Sequence, residues 1–311
     1  MRPFISICIP TYKRISYLPK LLDSIIMQNF KDYDVVITDN SDTDVVESLV
    51  NTYRSKLPIL YHRNIPALNM TENWNKGIDI ANGEWIKLIH DDDWFADENA
   101  LAELVKATEE GGRFIFSGYN AVFEEDGRVV PKTINQTQFS KIQEHPFRLI
   151  ADNIIGNPSV FMFHSSVSDR FETFMNWYVD IEYYIRMMLK EKAIYIDKPL
   201  VNMSYNVTQV TNAAARNPAI VIPEALFIMN TYGNKPVAEI VVYDAWWRLF
   251  RNLGIKNETV IKQYEKQLPI PEFIHKMIQH QQMIPGKLLH KGYISKPAMM
   301  LSYLLNARNY N

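Results

Sequence analysis

The sequence predicts an α/β fold: a mostly parallel sheet flanked by helices over residues 1–210, then a helical C-terminal region over residues 211–311. Three observations carry this. Strand-like and helix-like stretches alternate through the first 120 residues. Beyond about residue 210 the periodic stretches are helical. The chain has 311 residues, 47% hydrophobic and 22% charged, enough for one large domain or a domain with a smaller companion.

The elements follow in order. "FISICI" (4–9) is a short buried-strand run. Leu18, Leu21, Leu22, Ile25 and Ile26 then recur at helical spacing. "YDVVITD" (33–39) reads as a second strand, the polar turn "NSDTD" follows, and "VVESLV" is an apolar helix. "LPILYH" (57–62) is a third strand. Residues 71–81 read as a helix ended by Asn82–Gly83. "EWIKLIH" (84–90) is a fourth strand, and Leu101, Leu104, Val105 and Thr108 mark the next helix. "RFIFSGY" and "NAVFEED" read as strands, with "EDGR" as a hairpin turn. Residues 125–205 are mixed, with a strand at 158–164 and a helix stripe through Ile181, Tyr184, Ile185, Met188 and Leu189. Val242, Ala245, Trp246, Leu249 and Leu253 form an amphipathic stripe in the C-terminal region.

Alternating strands and helices imply βαβ units, and such sheets bind ligands beyond the carboxyl ends of their strands. Pro10–Arg14, Asp39 and Asp91–Asp93 then share one rim.

The single cysteine, Cys8, sits in an apolar run, so no disulfide forms within the chain, and a reducing, cytoplasmic setting is expected. The N-terminal apolar core is too short for a signal peptide. No apolar stretch approaches the length of a transmembrane helix. The sequons at Asn69, Asn135, Asn206 and Asn257 are read as chance matches. The net charge of −2 is unevenly spread: residues 245–311 hold 10 Lys/Arg and 3 Asp/Glu, the remainder 23 and 32. A basic C-terminal segment suggests an anionic partner such as a membrane surface; a solvated helical face is the alternative. No nucleic acid partner is expected.

"KLIHDDDW" (87–94) places three carboxylates at the end of an apolar strand. Adjacent like charges repel, more strongly as the surroundings dry out. Mg²⁺ or Mn²⁺ bound by carboxylates and substrate phosphates would remove that repulsion. A solvated turn, with Asp93 or Asp97 capping the next helix, is the plainer reading. Other sites fail on spacing: there is no P-loop, no dinucleotide fingerprint, no HExxH and no paired CxxC. "DNSDTD" lacks the second Asp of an aspartate-nucleophile phosphatase, since Ser41 occupies that place.

Five ordered motifs over about residues 4–205 resemble the family 2 glycosyltransferases. They are "ISICIPTYKR", "DVVITDNSDTD", "NWNKGIDIANGEWIKLIHDDDW", "GNPSVFMF" and "WYVDIEYYIRM". The resemblance implies the GT-A fold, a DxD metal motif and inverting sugar transfer from a nucleotide-diphosphate sugar. It implies that Pro10, Thr11, Tyr12 and Arg14 belong to the nucleotide-binding loop and that Asp39 reads the base. Asn75 and Gly77 match the NxG pair. Asp91 and Asp93 match the outer DxD positions as ligands of Mn²⁺ or Mg²⁺, and Asp92 lies near the donor's ribose and sugar. Asp180 matches the general base, with Asn157, Trp177 and Glu182 on the acceptor side. His90 and Trp74 stand where the family often has Asp and Arg, so Lys76, Lys13 and Arg14 are candidates to meet the diphosphate. Val179 replaces a frequent Glu.

The expected reaction is a single displacement. Asp180 accepts the acceptor hydroxyl's proton, and the diphosphate leaves from the opposite face. The expected acceptor is a glycan or lipid-linked glycan of a cell-surface polymer, with the enzyme cytoplasmic or peripheral at the inner membrane face. Two alternatives stand beside this. A sugar-1-phosphate nucleotidyltransferase would want glycines after the first strand, and "PTYKRISY" has none. A non-catalytic carbohydrate-binding protein would not need Asp91, Asp93 and Asp180 together.

Overall fold

Seven consecutive buried residues, Ile5–Thr11, make the first strand, β1. Such a run, apolar on both faces, suits the middle of a parallel sheet covered by helices on each side. The computed structural model describes residues 2–205 and 217–307. Around β1 stand β2 (Tyr33–Asp39), β3 (Ile59–Arg63) and β4 (Trp85–Leu88), in the order β3-β2-β1-β4, all parallel. Helices α1 (Leu18–Ile26), α2 (Val45–Asn51) and α3 (Met70–Ile80) make the crossovers. Helix α3 begins on a capping box, Asn69 with Glu72, and packs on β1 and β2. A Cβ at Gly77 would stand 3.3 Å from Thr38 Oγ1 and 3.7 Å from Cys8 Cβ, so a glycine lets α3 lie close to the sheet.

Beyond β4 the sheet becomes mixed. The order continues β8 (Phe161–His164), β6 (Phe114–Phe123), β9 (Ala193–Tyr205) and β5 (Trp94–Phe95), with β7 (Val129–Lys132) on β6. Of the eight strand pairings among the described residues, four are parallel and four antiparallel. The expectation of a mostly parallel sheet therefore describes the β3-β2-β1-β4 half.

Three local differences have physical reasons. The two strands read at 113–126 are one strand, β6, which absorbs a register irregularity between Ser117 and Tyr119 rather than turning. The 158–164 strand starts only at Phe161, because Pro158 opens a 3-10 turn over Pro158–Val160. Strand β9 was not anticipated: its central "DKP" breaks the apolar pattern, yet it pairs along the length of β6. Helices α4 (Ala100–Ala107), α5 (Gln136–Glu144) and α6 (Val179–Lys190) complete this part of the chain.

The chain forms two compact units. The first is Met1–Gln143, Ile154–Phe174 and Tyr183–Gln209, and it holds the whole sheet. The second is Glu144–Asn153, Met175–Glu182 and Val210–Asn311, so two short mid-chain segments group with the C-terminal helices. Those helices are α7 (Pro218–Tyr232), α8 (Ile240–Asn252), α9 (Glu258–Tyr264), α10 (Glu272–Gln282), α11 (Gly286–Leu289) and α12 (Gly292–Ala307). The second unit has its own core, in which Tyr243, Trp246, Trp247 and Phe250 of α8 and Phe273, Ile274 and Met277 of α10 are buried. Among the described residues, no helix is long and apolar enough to cross a membrane.

Candidate active site

Strand register assembles the rim. Thr11 pairs Asp39, and Asp39 pairs Arg63, so β1, β2 and β3 end level. Cys8 pairs Leu88, and the Ile89 N–H donates to the Cys8 carbonyl at 3.0 Å. Residues past Leu88 therefore run beside the end of β1.

The three aspartates there point to three different sets of partners. Asp91 Oδ2 accepts from Thr11 Oγ1 at 2.7 Å. Asp92 Oδ2 is in close ion pairing with Arg14 Nη1. Asp93 Oδ2 accepts from Asn157 Nδ2 at 2.9 Å and Ser159 Oγ at 2.5 Å, and its Oδ1 accepts from the Ser204 N–H at 3.1 Å. Burial pushes the Asp91 and Asp93 carboxyls up to about 7; hydrogen-bond donors hold them from rising further. The Ser204 hydroxyl in turn donates to Glu124, which also accepts from Tyr17 at 2.9 Å.

Lys87 lies beneath this group, fully buried, with Nζ directed at the carbonyls of Ser159, Leu88 and Phe161. It ties β4 to the turn that carries Asn157 and Ser159. Burial pulls its pKa down to about 7.

One ring nitrogen of His90 and one carboxylate oxygen each of Asp92 and Asp93 lie within 4.8 Å of one another. His90 Nε2 is buried without a hydrogen-bond partner among the described residues. The ring packs on Trp74, centroids 4.7 Å apart, and burial lowers its pKa to about 4, leaving a neutral imidazole. Two oxygens and a neutral nitrogen fit Mn²⁺ or Mg²⁺ as a partial ligand set, with positions left for phosphate oxygens and water. Of the expected pair, Asp93 lies in this cluster, and Asp91, two residues before it in the same turn, accepts from Thr11 at the end of β1.

At the end of β2, Asp39 is fully buried. Its Oδ1 accepts from the Ser41 N–H and hydroxyl at 2.8 and 2.6 Å, and its Oδ2 from Tyr61 OH at 2.7 Å. Pro10 and Thr11 close the buried run of β1, and Tyr12 beyond it is exposed. Lys13 holds a left-handed backbone, φ 57°, with its N–H donating to Ser41 Oγ at 2.9 Å; the loop keeps this uncommon conformation by binding the β2 end. Asn75 faces elsewhere: its amide donates to the Phe171 carbonyl and accepts from the Phe171 N–H, at 2.8 and 2.9 Å. Both of its polar atoms are thus engaged in holding backbone.

Asp180 belongs to the second unit. Helix α6 starts at Val179, so Asp180 is its second residue rather than the cap. Its Oδ1 accepts from the Ile181 N–H and its Oδ2 from Asn153 Nδ2, each at 2.9 Å. Burial lifts its pKa to about 6, and neighbouring Glu224 adds to the lift. Glu224, on α7, accepts from three consecutive backbone N–H groups: Asn176 at 2.7 Å, Trp177 at 2.9 Å and Tyr178 at 2.8 Å. Trp177 is half-buried in that segment. Glu182 is buried, within hydrogen-bond reach of Tyr232 OH at 3.2 Å.

Sequence reasoning missed Ser159, Ser204, Lys87 and Glu224. Each acts through partners more than 40 residues away, and no local spacing signals such contacts.

The family model described as Glycosyl transferase family 2 matches residues 6–171. The Mycobacterium tuberculosis protein MT1568 is 26% identical over 235 residues, 69% of this chain and 71% of that one. Abequosyltransferase RfbV of Salmonella typhimurium is 37% identical over 99 residues, 30% of each chain. The GalNAc(5)-diNAcBac-PP-undecaprenol beta-1,3-glucosyltransferase of Campylobacter jejuni is 28% identical over 130 residues, 41% of each chain. The matches thus span less than half the length of these two named transferases. Among solved structures, S. aureus TarS 1-349 in complex with UDP-GlcNAc has a TM-score of 0.65 at 16% identity, covering 96% of this chain and 89% of that one. The mannosyltransferase PcManGT of Pyrobaculum calidifontis, in complex with GDP-Man and Mn²⁺, has a TM-score of 0.58 at 13% identity, covering 100% and 87%. These likenesses show the GT-A fold.

Proposed function

The chain belongs to the family 2 glycosyltransferases, and we propose that it moves a sugar from a nucleotide-diphosphate donor to an acceptor hydroxyl with inversion at the anomeric carbon. One observation carries the donor side of this reading. Asp93, at the carboxyl end of β4, is held by three donors from distant segments in a chain that matches the family over residues 6–171. Asp93 and Asp91, with His90 and Asp92 of the cluster around Asp93, are the residues that would hold Mn²⁺ or Mg²⁺. When bound, such an ion supplies Lewis-acid stabilisation of the charge on the departing diphosphate.

The protein's own residues do the rest. Thr11, Tyr12 and the Lys13 backbone shape the nucleotide loop, and Asp91 braces it through Thr11. Asp39, held by Ser41 and Tyr61, is assigned to the base side. Arg14, paired with Asp92, meets diphosphate charge. Asp180 takes the acceptor hydroxyl's proton; the acceptor oxygen bonds to the anomeric carbon as the bond to the diphosphate breaks. A carboxylate with a pKa of about 6 is ionised at neutral pH yet remains a useful base. Asn157, Trp177 and Glu182 are assigned to the acceptor side. Glu182 would act there by shaping, since it is buried.

We assign transfer to residues 1–210 and read 211–311 as a helical region. The Campylobacter relative is named for a PP-undecaprenol-linked glycan, and a glycan or lipid-linked glycan is the acceptor class assigned here. The balance of 10 basic and 3 acidic residues over 245–311 suits a cytoplasmic enzyme lying peripherally at an anionic inner membrane face.

The test is thermal stabilisation by a panel of nucleoside diphosphates, with and without Mn²⁺, followed by product analysis with the matching sugar donors. Metal-enhanced binding of one diphosphate and its release during turnover are expected. Pyrophosphate release would assign nucleotidyl transfer instead, and no binding of any diphosphate would overturn the reading.

A further inference from the structure

Helix α12 is built inside out. Ser295, Met299, Ser302 and Asn306 face inward and are buried. Three of those four are polar, and each polar one makes a hydrogen bond. Ser295 Oγ accepts from Trp247 Nε1 at 3.0 Å and Arg251 Nη1 at 2.9 Å. Ser302 Oγ lies 2.7 Å from Tyr243 OH and 2.7 Å from His280 Nδ1, and Asn306 donates to Tyr243 OH. The opposite face carries Tyr293, Pro297, Met300, Leu301, Leu304 and Leu305, all exposed, Tyr293 at 73% and Leu304 at 60%. At about 100° per residue these six fall within an arc of about 140°. A helix that served only the protein core would be turned the other way, with its leucines in and its serines out. Neighbouring Met283 and Leu288 are exposed as well.

Charge chooses the occupant. Beyond Glu272 the chain has no acidic residue, while Lys276, Lys287, Lys291, Lys296 and Arg308 are basic. Lys287, Lys291 and Lys296 are exposed close to the apolar stripe. Two copies meeting face to face would bring these lysines together without a carboxylate from this segment to neutralise them. An anionic lipid surface accepts both the leucines, among the acyl chains, and the lysines, at the headgroups. The helix has 16 residues, about 24 Å at 1.5 Å each, and so lies along a bilayer rather than through it.

We propose that the outward face of α12, Tyr293 to Leu305 with its flanking lysines, docks on an anionic lipid surface. This deepens the peripheral position suggested above, and it stands or fails independently of the transfer reaction. The test is flotation of the full chain with phosphatidylcholine vesicles and with vesicles that also contain phosphatidylglycerol, at low and high salt. Stronger flotation with the anionic vesicles, weakened by salt, is expected. Leu301→Ser/Leu304→Ser/Leu305→Ser should abolish it while leaving the melting temperature unchanged, because these side chains contribute little to the core. Lys287→Gln/Lys291→Gln/Lys296→Gln should lower partitioning onto anionic vesicles by about two orders of magnitude. Equal flotation with both vesicle types, or none, would overturn the proposal. So would a dimer in sedimentation that the leucine variant dissociates while vesicles bind nothing: the face would then be a contact between copies.

Discussion

Asp93 and Asp180 are both carboxylates in surroundings that penalise charge, yet they are held by different means. Asp93 takes its donors from Asn157, Ser159 and Ser204, which lie 64, 66 and 111 residues away in the chain. Those donors stand on or beside sheet strands, so the sheet fixes the direction of the carboxylate. Asp180 takes one donor from its own helix and one from Asn153. The backbone just before it hangs on Glu224 of a C-terminal helix. The contact lies within the second unit, which contains both Glu224 and the segment that leads into the proposed base. The comparison teaches that the same residue type is held by donors from sheet strands in one place and, in the other, by its own helix and Asn153, next to a backbone segment that one buried side chain holds.

The largest expected effect is at Asp180. Asp180→Asn keeps the side chain's shape and an oxygen for the Ile181 N–H, but it cannot take a proton. Transfer should fall by roughly 10²–10⁴-fold, the usual range for a positioned acid or base. Nucleoside diphosphate affinity should survive. Because burial raises this carboxyl's folded pKa, its stabilising contribution is present at low pH and is lost as pH rises through about 6. The variant should thus melt no lower than the wild type at pH 8. Near-normal turnover would remove Asp180 as the base.

Asp93→Asn should come next. It removes the charge while leaving Asn157 and Ser159 a polar partner. Transfer should fall by about 10²–10³-fold. In contrast to the Asp180 variant, the loss should appear in binding: calorimetric titration of the diphosphate should no longer respond to Mn²⁺. An unchanged metal response would break the distinction between the two carboxylates.

Lys87→Met tests the bracing itself. It strands the buried carbonyls of Ser159 and Phe161, which should cost about 1–3 kcal/mol in denaturant unfolding. Donor binding should weaken too, since the Ser159 turn positions Asp93. Unfolding at the wild-type midpoint would show that Lys87 does not hold this turn.

The legible part of the molecule was the part with local periodicity. Buried strands such as "ISICIPT" and helix stripes such as Leu18–Ile26 show themselves in a window of ten residues. The shared rim followed, because parallel register carries Thr11, Asp39 and Asp91–Asp93 to one end. What stayed hidden was non-local. Strand β9 has no alternation to betray it, and Ser204 at its end is an ordinary serine until it donates to Asp93. Glu224 looks like a solvated helix residue in sequence and is nearly fully buried in the fold. The motif order gave Asp91 and Asp93 as the ligand pair; that ligand atoms of His90 and Asp92 lie within 4.8 Å of one of Asp93's carried no such signal. Adjacent residues in a tight turn diverge, and spacing alone does not say which ones converge.

The smallest effect sharpens the comparison most. Glu224 contributes to raising the Asp180 pKa, after burial, by placing a second negative charge nearby. A base must be ionised to act, so turnover should fall below a limb near pH 6 in the wild type and level off above it. Glu224→Gln removes the neighbouring charge, which makes the ionised form of Asp180 easier to reach. The limb should therefore move to lower pH, by a fraction of a pH unit, while turnover at pH 8 changes little. The glutamine oxygen can still accept from the 176–178 backbone, though its amide group cannot, so some loosening of the Trp177 segment should raise KM for the acceptor more than it lowers kcat. A merely structural Glu224 would lower the melting temperature and leave the limb in place. A limb that stays at pH 6 in Glu224→Gln but disappears in Asp180→Asn would keep Asp180 as the base and remove Glu224 as its electrostatic partner.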